Sequence, residues 1–177
     1  MLTEFLRDQF FTTAWFGLMA FVWFGWSQED PPRRWRVWLG VGSAVGVAFA
    51  GAFGILTALH WGQPTSLQGK YVWFGVLVAA EVVAAGVGCL VLARRGRSRW
   101  MAWWVAVVVA AHFLPLALFL RDFGVAAVGV AQLAALGWAV PRLRAVTTTS
   151  SRLAGPIMGV SLLLSAAVGA ALALPNL

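Results

Sequence analysis

The sequence predicts an all-α fold: a polytopic membrane protein whose six transmembrane helices form one bundle, with both termini outside. Three observations carry this. The chain is too apolar for a soluble core, it contains six apolar runs of spanning length, and its arginines fall in alternate loops. Of 177 residues, 61% are hydrophobic and only 11% charged, with a mean hydropathy of +0.83. Soluble domains carry about 25% charged residues, so lipid must be the solvent for most of this surface.

A helix needs roughly 20 apolar residues to cross a hydrocarbon core of about 30 Å. Six stretches qualify, at 9–26, 36–60, 70–93, 100–120, 123–140 and 153–174, and residues 1–177 read as a single transmembrane domain. The first run follows a flank containing Glu4, Arg7 and Asp8 and ends in Trp23-Phe-Gly-Trp26. It lacks the basic flank and small-residue cleavage site of a signal peptide, so it reads as a retained helix. The fourth and fifth runs are separated only by Arg121 and Asp122, which predicts a tight hairpin.

Basic residues set the orientation. Arg33, Arg34, Arg36, Arg94, Arg95, Arg97, Arg99, Arg142, Arg144 and Arg152 occupy one set of loops, against Arg7, Lys70 and Arg121 on the other. The first set should face the cytoplasm, which puts the termini outside. The net charge of +7 is thereby a topology signal, and no nucleic-acid partner is expected. With Lys70 the sole lysine and Ala, Val, Gly and Arg abundant, the composition associates the chain with a bacterial cytoplasmic membrane. Most of the 11 tryptophans, among them Trp26, Trp35, Trp38, Trp61, Trp73, Trp100, Trp103, Trp104 and Trp138, fall near span ends. An interfacial belt explains them without an aromatic cage for a cation.

Small residues recur at four-residue spacing: Gly42, Gly46, Ala50 and Gly54 in the second span, Ala80, Ala84 and Gly88 in the third, Ala127, Ala131 and Ala135 in the fifth, Gly155 and Gly159 in the sixth. Such stripes let helix backbones approach closely where lipid supplies no hydrophobic drive. Internal packing is the favoured use. A membrane protein partner, or a second copy in a homo-oligomer, is the alternative.

Polar groups inside the spans are few. Glu81 is roughly 16 Å below Lys70, His112 roughly 14 Å below Arg121 and Gln132 roughly 15 Å below Asp122 at 1.5 Å per residue. All three therefore belong near the midplane on consecutive helices, and ionisable groups at that depth usually mark function. Ala84, Ala85 and Gly88 share the face of Glu81, which turns it into the bundle. Pro115, three residues after His112, frees the carbonyl of Ala111 and supplies a bending point. A carboxyl and an imidazole brought together here can pass a proton between them. Gln132 would orient a ligand. Thr57 and His60, with Arg121, Asp122, Glu4, Arg7 and Asp8, form a second polar set at the outer face. It reads as an entrance to the midplane site or as ordinary interfacial pairing.

Other chemistries fit poorly. The two histidines differ in depth by about 12 Å, which disfavours bis-histidine haem. Lys70 is interfacial, so no buried lysine can carry retinal. A zinc site would need three or four ligands and at most Glu81 and His112 are close. Cys89 is the only cysteine. There is no phosphate loop, and no buried aspartate to orient a Ser-His pair. No cofactor, metal or catalytic residue is assigned.

The segment Ala111-His-Phe-Leu-Pro-Leu-Ala117, with Phe119, resembles a motif of small uncharacterised bacterial membrane proteins. The resemblance covers about one span. It implies that His112 and Pro115 belong to the core of that group, and it implies no activity. Chain size and span number are also similar to the substrate-binding subunits of energy-coupling-factor vitamin transporters. Those begin in the cytoplasm, and their vitamin-site motif is not found here. The leading expectation is a protein that binds or transports a small molecule or ion at Glu81, His112 and Gln132, with proton coupling as its extension. The rival is a non-catalytic accessory subunit docking through its small-residue faces. A membrane enzyme acting on lipid comes third.

Overall fold

The computed structural model describes residues 5–176, so Glu4 lies outside the described residues. Six long helices make up the fold: α1 (Leu6–Ser27), α2 (Arg36–Leu59), α3 (Tyr71–Arg94), α4 (Met101–Leu120), α5 (Phe123–Arg144) and α6 (Ser151–Ala173). Short 3-10 turns precede α2 and α4 and follow α6, and the described residues contain no strand. All six helices are long and apolar enough to cross a membrane, which points to a multi-pass membrane protein.

α1 is the hub. It packs between α2 and α6, while α4 and α5 form a second pair that closes onto α6. Each contact has a local cause in the sequence. Gly46 of α2 meets α1 so closely that an added Cβ would lie 2.6 Å from the carbonyl oxygen of Gly17. Gly42 and Gly159 abut opposite edges of the Phe24 ring, from α2 and α6 respectively. Gly155 of α6 abuts Ser27 and the Trp23 carbonyl of α1. Gly129 of α5 abuts the Ala110 carbonyl of α4 at 2.7 Å from an added Cβ. The rings of Phe16 and Phe113, 5.5 Å apart, join α1 to α4. With Trp23, Leu136, Met158 and Leu162 they form the main core.

Not every small-residue stripe lies at an interface. Ala127 and Ala131 of α5 are exposed, as is Ala80 of α3. The packing face of α5 is instead Val125, Gly129, Gln132, Leu136, Ala139 and Leu143. An alanine faces lipid at no cost, whereas Gly129 supplies the one close backbone approach, so glycine marks this seam and alanine does not.

α3 stands apart. None of its residues is buried, and its principal neighbour is α4.

The two ends of the bundle are built differently. At one end, residues 61–70 fold back over the helices. The Arg7 guanidinium donates to the carbonyls of Trp61 (2.7 Å) and Gln63 (3.1 Å) and to the Tyr71 hydroxyl (3.2 Å), and lies 4.5 Å over the Trp61 ring. Asp8 Oδ2 accepts from the Ser66 amide at 2.7 Å, and Leu67 packs against the core. The α4–α5 hairpin at the same end turns in two residues. Arg121 takes a left-handed conformation (φ 52°) and Asp122 caps α5 by accepting from Gly124 N at 2.8 Å. The opposite end carries the arginine-rich loops, tied together by Arg99 onto the carbonyls of Leu143 and Val146 and by Ser150 onto Trp103 N.

Candidate functional site

The α3–α4 interface holds two polar contacts, about one turn apart on α3 and about two turns apart on α4. Near mid-span, Glu81 Oε2 pairs with His112 Nδ1. Closer to the arginine-rich end, the Trp104 indole donates to the Ala84 carbonyl at 3.1 Å and lies against Gly88, where an added Cβ would collide with the ring. The face of α3 carrying Glu81, Ala84 and Gly88 is thus the one that meets α4. Helical spacing of three and four residues puts them on that face.

His112 is more covered than its partner: its side chain is 9% exposed, against 20% for Glu81. With Nδ1 turned to the carboxylate, the other ring nitrogen, Nε2, is buried and makes no hydrogen bond to a described residue. Leaving a buried polar atom unsatisfied costs about 1–3 kcal/mol, and native proteins rarely do so without a reason. α4 runs as one helix through Pro115, so the ring is presented from continuous helix.

Gln132 takes a different partner from the two ionisable groups. Its side chain is 1% exposed, and its Nε2 donates to Ser161 Oγ of α6 at 2.7 Å. Ser161 in turn donates to the Met158 carbonyl. The amide oxygen of Gln132 is buried and, like His112 Nε2, has no hydrogen-bond partner among the described residues. Sequence reasoning missed Ser161. A hydroxyl that can bond back to its own helix is a weak signal, and its place one helix beyond α5 is visible only in the fold.

Three of the four outer residues are engaged locally. Thr57 donates to the Phe53 carbonyl at 2.7 Å. His60 Nδ1 bonds the Leu56 carbonyl at 2.9 Å, with its ring edge-on to Phe10. Asp122 serves as the cap of α5 and Arg121 is exposed. Arg7 and Asp8 do the larger work at this end by holding residues 61–70 in place. Among the described residues, no group of three or more His, Cys, Asp or Glu is placed to hold a metal ion.

Chemically, the arrangement is a carboxylate–imidazole pair bridging two helices inside an apolar span, with one imidazole nitrogen free to bond. No protein-family model, curated protein or solved structure matches the chain.

Proposed function

We propose that this is a multi-pass protein of the bacterial cytoplasmic membrane, termini outside, that binds or transports a small molecule or ion at the Glu81–His112 centre. One observation carries the reading. A paired carboxylate and imidazole lie near mid-span, and the imidazole Nε2 is buried with hydrogen-bonding capacity to spare. Structural glue between two helices would not require an ionisable pair, since interhelical hydrogen bonds contribute only about 0.6 kcal/mol on average. A proton-responsive or ligand-binding centre does require one. Gln132 fits the same scheme as an orienting group, anchored through its nitrogen on Ser161 and offering its oxygen.

The accessory-subunit reading draws support from α3, none of whose residues is buried by the rest of the chain, and from Ala50 and Gly54, which open onto a shallow groove between α1 and α2. Native mass spectrometry of gently extracted protein, wild type beside Glu81→Gln, separates the two. The binding reading expects a small adduct on wild type that is absent from Glu81→Gln. An identical adduct on both overturns the assignment to Glu81. A stoichiometric second protein without a small adduct transfers the function to the accessory subunit.

A further inference from the structure

At the arginine-rich end, a groove of about 750 Å³ runs between α3 and α5 with α4 as its floor. It exists because α3 and α5 both pack on α4 rather than on each other. Trp100, Trp103 and Trp104 line it from α4 and the turn before it, with Gly88 and Val91 on one side and Val140 on the other. Trp104, fixed by its bond to the Ala84 carbonyl, closes the deep end. Gly88 lies six residues before Arg94, so the groove reaches roughly 9 Å along the helix from the loop.

The mouth is unlike the walls. Arg97, Arg99 and Arg144 line it, and no carboxylate does. Arg99 is committed: it bonds the carbonyls of Leu143 and Val146 and lies 5.2 Å over the Trp100 ring. Arg97 and Arg144 are exposed, and their side chains make no hydrogen bond or ion pair with a described residue. Two uncommitted guanidiniums beside a third, above an indole-lined trough, form a complement to one kind of molecule. Guanidinium forks match phosphate oxygens, indole rings favour the headgroup level, and the apolar depth suits hydrocarbon. The volume falls within the range of small-ligand sites, about 300–1,000 Å³.

We propose that this groove binds an anionic phospholipid, its phosphate between Arg97 and Arg144 and the upper part of one acyl chain along Trp100, Trp103 and Trp104. The assignment rests on the groove alone and is independent of any ligand at Glu81–His112. A water-soluble anion would use the arginines and leave the trough unfilled. A zwitterionic lipid would fill the trough and place its own cation among the arginines.

The test is lipid retention by full-length protein in mild detergent, offered equal amounts of phosphatidylglycerol and phosphatidylcholine with matched chains and read by native mass spectrometry. Wild type should retain one phosphatidylglycerol with about tenfold preference. Arg97→Gln/Arg144→Gln should fall to near parity. Arg94→Gln/Arg95→Gln, which removes two exposed arginines of the same end outside the groove, should keep the preference. Three results overturn the proposal: no preference in wild type, equal loss in both double variants, or displacement of the lipid by glycerol 3-phosphate alone. The first denies the site, the second reduces it to a general basic surface, and the third reduces it to a headgroup site without the acyl chain.

Discussion

Glu81 and His112 are each other's only hydrogen-bonding side-chain partners among the described residues, so removing either strands the other. A stranded polar group in this setting costs about 1–3 kcal/mol, whereas two apolar side chains facing each other are often tolerated. Glu81→Leu and His112→Leu should therefore each lower the unfolding midpoint in mild detergent, and the double variant should recover much of the loss. A double-mutant cycle on thermal unfolding reads this directly, and strictly additive losses would deny any energetic link. The depth of both residues could be read from the sequence, because the rise per residue counts down from each span end. Their azimuth could be argued only partly, from the small residues around Glu81. Gln132 shows where such reading stops. Its depth follows from counting, yet depth does not say which neighbour a side chain faces, and it faces Ser161 of α6.

At the scale of the helix, the stripe of α2 divides in two. Gly42 and Gly46 are consumed by α1, whereas an added Cβ at Gly54 would meet nothing within 4 Å. Gly46→Leu should thus force α1 and α2 apart and destabilise the protein by about 1–3 kcal/mol or more, lowering the thermal midpoint of the isolated protein. Gly54→Leu should leave that midpoint unchanged, and is the variant that would break a partner complex. Equal loss from both would refute this division. Four-residue spacing was enough to expose the stripe in the sequence, but not its receiving helix. The same spacing also drew attention to Ala127 and Ala131, which face outward, because alanine is equally suited to lipid and to a helix seam. Gly129 carries the α4–α5 contact and is unremarkable by spacing alone.

Taken whole, the molecule has one arginine-rich end and one end covered by residues 61–70. An all-helical fold of six long helices was legible from hydropathy and span length, since backbone groups in lipid leave little besides helix to form. The pairing of α1 with α6 was not, because periodicity marks a packing face without naming its mate. Which end faces the cytoplasm is a separate question, on which loop charge supplies an expectation. With Cys89 replaced by Ser, a cysteine at exposed Gln68 should react with a membrane-impermeant maleimide added to intact cells. One at exposed Ser98 should react only after the membrane is opened. The reverse pattern would invert the protein and move the arginine groove to the outer leaflet.

The packing of α1 against α6 also imposes a timetable. Phe24 is gripped from both sides by Gly42 and Gly159, one on the next helix, α2, and the other more than a hundred residues later, on α6. At about 5–20 residues per second, the ribosome delivers α6 many seconds after α1 is complete. During that interval one flank of α1, including Ser27 and the Trp23 carbonyl, is without the α6 surface that covers it in the finished fold. The newborn chain is thus an open assembly in which α1 waits for the helix made last, and damage to α6 would be felt first at α1.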